Sequence, residues 1–301
     1  MTPQRKATII SSTVAALLTL MKLVVGIASG SVAVLASAVD SILDMFVSLF
    51  NYFAILNSEK PADKTFNYGR GKIEALALVI EGTIITLSGL YLLYEAIKKA
   101  LTGGESQYLG ISIYVMIASL VITVCLVMYL NYVAKKTRSM VIEADALHYK
   151  TDMLSNIAVL LSLAVVGYTG VELVDVLIGA GIAFYIIYSA FELIKKGVLV
   201  LLDRALDDEL VLEIEKVIVA TDRVNGFHLL KTREAAHQTF VDVHVVFDHL
   251  ITLVEAHKVS HKIEAKIKRL DQGRSWIINI HMDPYDDYWV NDMPKKNRPT
   301  E

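Results

Sequence analysis

Cysteine is nearly missing from this chain. Its one copy, Cys125, lies inside an apolar run and has no intrachain partner, so no disulfide framework exists. Proline is scarce: Pro3, Pro61, Pro284, Pro294 and Pro299 leave positions 62–283 free of the residue that breaks helices. Charge is thin too. Asp, Glu, Lys and Arg make up 20% of the 301 residues, against about 25% in a typical soluble domain. A formal net charge of -3 gives no basic footprint for nucleic acid. There is no low-complexity stretch and no short solenoid repeat. The first apolar run, from Ala7, is longer than the core of a signal peptide and no convincing processing site follows it, so none is expected.

What is present is unevenly spread. Apolar residues reach 54%, and of 61 charged residues 29 fall in the first 200 positions and 32 in the last 101. His148 stands alone in the first part, and the other seven histidines fall at or after His228. An apolar two-thirds joined to a charged, histidine-rich third predicts a membrane domain carrying a soluble one.

A helix needs about 20 mostly apolar residues to cross roughly 30 Å of hydrocarbon. Six segments meet or approach that length: about 7–28, 32–56, 74–97, 108–133, 148–168 and 172–200. They lack period-2 alternation, so helices rather than a closed barrel satisfy their backbone in lipid. Lys and Arg gather at Arg5, Lys6, Lys60, Lys64, Arg70, Lys72, Lys135, Lys136, Arg138, Lys195 and Lys196, all on one side of such a six-span path. The positive-inside rule then puts both termini and the soluble third in the cytoplasm. Lys22, within the first span, is expected to reach an interface or another helix.

Charges inside the spans carry more information than the spans do. An Asp at the centre of a span costs about 2.5–3.5 kcal/mol on insertion scales. The second span nevertheless holds Asp40 and Asp44, and the fifth holds His148 and Asp152. Each pair has i, i+4 spacing, which puts both side chains on one helical face about 5–6 Å apart at Cβ. Two such faces opposed across a bundle bring three carboxylates and an imidazole to one point. Carboxylates on one turn repel each other, and a divalent cation removes that penalty. A tetrahedral nitrogen and oxygen set suits zinc or a similar first-row ion. The competing account makes these groups helix caps or bonds to neighbouring helices. It explains one such pair more readily than two pairs of the same spacing. Glu81, in the otherwise apolar third span, could sense protons but is expected to bond within the bundle or to face water.

These residues sit in a wider pattern. Gly30-Ser-Val-Ala-Val-Leu-Ala-Ser-Ala-Val-Asp40-Ser, Pro61-Ala-Asp63, Tyr68-Gly-Arg-Gly-Lys72-Ile-Glu74, Glu143-Ala-Asp145-Ala-Leu-His148-Tyr-Lys-Thr-Asp152 and Leu202-Asp203-Arg204-Ala-Leu follow in order over nearly the full length. In them the chain resembles the cation diffusion facilitator family, and within it the bacterial zinc and ferrous-iron efflux branch. The resemblance implies an inner-membrane homodimer that exchanges divalent metal for protons and exports it from the cytoplasm. It implies a six-helix bundle with a C-terminal cytoplasmic α/β domain of ferredoxin-like type, and no enzymatic activity. Asp40, Asp44, His148 and Asp152 match the family's transport site. Zinc-restricted relatives usually have His at the place of Asp40, and manganese relatives usually lose the His at 148. The set here is similar to members that accept Fe2+, Cd2+ or Co2+ besides Zn2+. Asp63 matches part of a second metal site, but Phe66 and Arg70 stand where that site has its histidines. Asp63 is therefore expected to pair with Arg70 and its metal site to be degenerate. Lys72 and Asp203 match a salt bridge where membrane and soluble domains meet.

The last third reads as helix 207–221, strands 227–233 and 239–247, helix 253–270 and strand 276–282. That order, αββαβ, gives a small open-faced α/β sandwich. Alternation sends Val241, Val243, Val245 and Phe247 inward and His244 outward, and it parts Ile278, Ile280 and Met282 from His281 and Asp283. His257 and His261 lie off the helix stripe Val259, Ile263, Ile267 and Leu270. The resemblance matches His228, His244, His257, His281 and Asp283 to a cytoplasmic binuclear site that stabilises the dimer; His237, His249 and His261 have no such match. The expected domains are 1–202 for transport, 203–290 for metal binding and dimerisation, and 291–301 as a loose polar tail.

Two other readings compete with a Zn2+ and Fe2+ antiporter in the lipid bilayer. One is a Mn2+-preferring exporter, and the other is a membrane-tethered metal sensor whose spans only anchor it. A membrane metalloprotease would need an open coordination position and a general base, and no His-Glu-x-x-His helix is present.

Overall fold

A computed structural model of the chain describes residues 1–29, 32–102, 110–169, 173–236 and 238–286. The chain divides into two compact units, Met1–Leu201 and Leu202–Glu301. Six helices build the first: α1 (Pro3–Ser29), α2 (Val32–Ser58), α3 (Lys72–Thr102), α4 (Gly110–Thr137), α5 (Met140–Thr169) and α6 (Leu173–Leu201). Each has 27 to 31 residues, about 40 Å or more at the helical rise. Pro3 opens α1 at the first helical position, where a missing N–H costs nothing.

Five of the six contain a stretch long and apolar enough to cross a membrane. The exception is α5, equally long but carrying Glu143, Asp145, Lys150 and Asp152. The chain is a multi-pass membrane protein, and α5 is held inside the bundle by its neighbours. α5 also starts earlier than the sequence suggests, at Met140 rather than near 148. The cause is Glu74 of α3, buried at 4% exposure. Its Oε2 accepts from the Met140 backbone N–H at 3.1 Å and from the Ser139 hydroxyl at 2.9 Å. Its Oε1 accepts from the Ser58 hydroxyl at 3.2 Å. A carboxylate from another helix thus satisfies the orphan donors at the start of α5. His148 and Asp152 thereby sit mid-helix instead of at its end.

α1 packs along α2 and α3 along α6, and α5 touches all of α1, α2, α3, α4 and α6. The α3–α6 approach depends on Gly82. A Cβ there would stand 2.7 Å from Ile194 Cγ1 and 3.3 Å from the Ala190 carbonyl oxygen. Small residues let membrane helices approach closely where hydrophobic burial does not drive them together.

The second unit runs α7 (Asp208–Val219), β1 (Val224–Ala235), β2 (Gln238–Phe247), α8 (Leu253–Leu270) and β3 (Ser275–Asp283). β2 is central, antiparallel to β1 and parallel to β3. Ile214 and Ile218 of α7 and Val259, Ile263 and Ile267 of α8 are buried against Val241, Val243, Val245 and Phe247 of β2. Thr252 and Glu255 form a reciprocal capping box at the start of α8. Both helices cover one side of the sheet, so polar residues of alternate parity gather on the other.

Candidate metal centre

In the membrane unit, Asp44 of α2 faces His148 and Asp152 of α5. His148 Nε2 lies 3.2 Å from Asp44 Oδ1 and 3.8 Å from Asp152 Oδ2, and one ligand atom from each of the three falls within 4.8 Å of the others. The imidazole is only 8% exposed, while the two carboxylates keep 24% and 38%. A buried nitrogen between two partly open carboxylates leaves a path for an ion and keeps a ligand atom out of water. Asp40 is one turn before Asp44 on α2; its side chain lies outside the described residues. Tyr149 backs the site. Its hydroxyl is 2.7 Å from the Ser48 hydroxyl and donates to the Ser11 carbonyl at 3.4 Å, and its ring meets the His148 ring edge-on at 5.6 Å. Lys22 donates from α1 to the Ser41 hydroxyl of α2 at 2.7 Å. It is used between helices.

A second polar cluster lies outside the two i, i+4 pairs. Asn51 of α2 donates to Glu81 Oε2 of α3 at 3.1 Å and to Asp145 Oδ1 of α5 at 3.3 Å. The signal was available: Asn51 is seven residues after Asp44, two turns along one face, and Asp145 is three before His148.

In the second unit, strand register lines up three histidines. His228 of β1 pairs with His244 of β2, and His244 with His281 of β3. Asp283, 5% exposed, lies beneath them. Its Oδ2 is 3.2 Å from His228 Nε2 and 2.9 Å from His244 Nδ1, and its Oδ1 is 3.1 Å from His281 Nε2. Ligand atoms of His228, His244 and Asp283 fall within 4.8 Å of one another. Nitrogen and carboxylate donors around a buried oxygen suit zinc. A register shift after His228, where Leu229 takes a positive φ of 51°, breaks the ladder next to the cluster. His257 stands apart from the contacts that tie those four together. Its Nε2 lies 3.1 Å from Nε2 of His261, both exposed on α8. His261, which has no match in the resemblance, is therefore its neighbour. His237 lies outside the described residues, and His249 is exposed beside Asp248.

Asp63 is committed to its own loop. Its Oδ1 accepts from the Phe66 and Thr65 backbone N–H groups at 2.8 and 2.9 Å. Its Oδ2 pairs with Arg70 at 2.5 Å. The Phe66 N–H above all, with Thr65 and the Arg70 charge, holds its carboxyl below the usual range against an opposing burial effect. Lys72 donates to the Leu201 carbonyl at 3.2 Å, and Asp203 receives Arg233 at 3.4 Å.

Comparison with known proteins decides what kind of molecule carries these clusters. Residues 8–202 match the family described as cation efflux transmembrane domain, and residues 206–285 match cation efflux protein, cytoplasmic domain. The chain belongs to the cation diffusion facilitator family. It is 37% identical over 279 residues to a cation-efflux pump FieF of Citrobacter koseri, covering 93% of this chain and 92% of that one. It is 36% identical, with the same coverage, to proteins of that name from Escherichia fergusonii and Escherichia coli. The helical membrane domain with its C-terminal three-stranded α/β domain is the architecture of a cation diffusion facilitator. Both families of ligands described above fall inside the matched stretches.

Proposed function

We propose that this chain is a homodimeric divalent metal/proton antiporter of the bacterial inner membrane. It exports Zn2+ and Fe2+ from the cytoplasm, with both termini on the cytoplasmic side. The observation that carries this reading is the meeting of Asp44, His148 and Asp152 across two helices of a membrane bundle. With Asp40 they supply three carboxylates and one imidazole. More oxygen than a zinc-restricted site has makes the set harder, which agrees with acceptance of Fe2+ and, secondarily, Cd2+ or Co2+. The relatives named as cation-efflux pumps point to the same direction of movement.

The ligands explain the exchange. A metal ion binds only deprotonated carboxylate and neutral imidazole, so metal and protons compete for the same atoms. Opened to the cytoplasm, the site takes a metal ion and gives up protons. Opened outward, it takes protons and gives up the ion. Alternation between the two states completes the cycle without another energy source.

In the same reading, His228, His244, His257, His281 and Asp283 hold resident Zn2+ in the cytoplasmic domain and stabilise the dimer. Lys72 and Asp203 pair where the two domains meet, and the Asp63 loop has lost its metal. The test is purified protein in liposomes with a metal-sensitive and a pH-sensitive dye. Uptake of Zn2+ and Fe2+ coupled to opposite proton movement is expected. Transport of Mn2+ alone would overturn the metal assignment, and metal movement without proton movement would overturn antiport.

A further inference from the structure

Two carboxylates of the membrane unit are outside the metal-ligand set and completely buried. Glu81 and Asp145 are each 0% exposed, as is Asn51 between them. Among the described residues, no Lys or Arg forms an ion pair with either acid. Both N–H bonds of the Asn51 amide are spent, one on each carboxylate. Three buried oxygens are left without a hydrogen-bond partner: Glu81 Oε1, Asp145 Oδ2 and Asn51 Oδ1. The cluster has acceptors to spare and too few hydrogens. Two ionised carboxylates sharing a dry site without a cation are heavily penalised. A proton on either acid removes a charge and creates an O–H donor for one of the orphaned oxygens.

Two of the three helices that build this cluster, α2 and α5, also hold the metal ligands, and α3 supplies Glu81. Asn51 is about 10 Å along α2 from Asp44 by helical rise, and Asp145 precedes His148 by less than one turn of α5. A divalent ion at the ligand site therefore favours the charged form of these acids through a low-dielectric interior. The titratable groups facing the cluster from the packed elements are few. They are His148 and Tyr149 of α5, with the Ser11 hydroxyl of α1 beside Asp145. The described charges of α6, Glu192, Lys195 and Lys196, are exposed and pair with one another or with Glu143.

We propose that Glu81 and Asp145, bridged by Asn51, form a proton-binding site separate from the metal ligands, filled in the metal-free protein and emptied when metal binds. The step balances: one divalent ion enters, and the pair gives up one proton in addition to those that leave the ligands. The proposal rests on the antiport reading above.

The full chain separates the two. Protons released on Zn2+ binding are counted in weakly buffered detergent solution for the wild type, Glu81→Gln and Asp145→Asn, and the affinity is measured across pH. The expected result is that Glu81→Gln still binds Zn2+ and releases about one proton fewer per ion. Its log affinity then rises less steeply with pH, by about one unit of slope. Asp145→Asn should behave alike, which keeps the test open if one variant fails to fold. Wild-type proton counts and slopes in the variants would overturn this site while leaving antiport intact. Loss of Zn2+ binding at every pH in monodisperse variants would also overturn it, by making the pair metal ligands. A wild type that releases no protons would remove the antiport reading and this site together.

Discussion

In the membrane unit the cluster draws on two helices, with His148 buried between carboxylates that remain partly open. In the second unit it draws on three hydrogen-bonded strands, with the carboxylate of Asp283 buried and the outermost histidine, His281, 65% exposed. The ligand types are shared and the scaffolds are opposite. Helices in a membrane bundle meet through side chains and can shift against one another. Strands are locked by a backbone ladder, so ligands that sit on them keep their spacing. A site whose ligands come from separate helices suits an ion that must leave, and a site written across a sheet suits an ion that stays.

The sharpest way to break that comparison is to remove one ligand on each side. Asp44→Ala should lower metal transport by at least about 100-fold in liposomes, since it deletes a direct ligand from a small set, and leave the metal content of purified protein nearly unchanged. His244→Ala with His281→Ala should do the reverse, removing resident Zn2+ from the full chain and weakening the dimer while transport persists. If the second variant lost transport as completely as the first, the sheet cluster would belong to the carrying machinery. If its metal content were unaltered, the cluster assignment would be wrong. His148→Ala should act between these extremes. It removes the site's one nitrogen ligand, an atom for which metal and protons compete, so metal preference should shift and the pH dependence of transport should flatten. Unchanged proton counterflow in that variant would take His148 out of the coupling.

Both clusters were partly legible in the sequence, for different reasons. The i, i+4 pairs on α2 and α5 are local, and helical periodicity alone places their members on one face. Strand alternation likewise put His244 on the polar side of β2. What periodicity does not give is register. That His228, His244 and His281 share one row depends on how three strands align, including a shift after His228. The same limit hid the contact among Asn51, Glu81 and Asp145, which needs three helices rotated toward one another. His257 shows the converse: a residue matched by resemblance whose nearest ligand-type neighbour in the fold is His261. The early start of α5 was invisible because its cap, Glu74, lies 66 residues away from Met140.

That cap sharpens the comparison from the side of stability. Glu74→Ala would leave the Ser139 hydroxyl and the Met140 N–H without their acceptor, while the Ser58 hydroxyl keeps the Ile55 carbonyl. Buried donors so stranded cost about 1–3 kcal/mol. A lower melting temperature of the full chain in detergent is expected, together with poorer transport because α5 carries two of the ligands. Glu74→Gln keeps one acceptor oxygen and should recover part of the loss. A Glu74→Ala protein with wild-type stability and transport would show that α5 is positioned by packing alone.

The smallest effect is expected at Asp63, and its sign is fixed by the direction of its titration. The Phe66 and Thr65 N–H groups and the Arg70 charge favour the ionised carboxyl, so its folded pKa lies below the ordinary value of about 3.9. Such a group stabilises the fold above its unfolded pKa, and that contribution is lost as pH falls through the folded value. Asp63→Asn should therefore lower the melting temperature slightly near pH 6 and progressively less below about pH 4. Its side chain is 41% exposed, which keeps the effect small because solvent screens exposed pairs. Zn2+ should raise the melting temperatures of Asp63→Asn and wild type equally. A smaller rise in the variant would mean that the loop still holds metal, and the contrast between carrying and resident sites would then have to admit a third. Equal rises leave Arg70 occupying the place of the ion: a cation fixed in the chain, which neither exchanges with protons nor leaves.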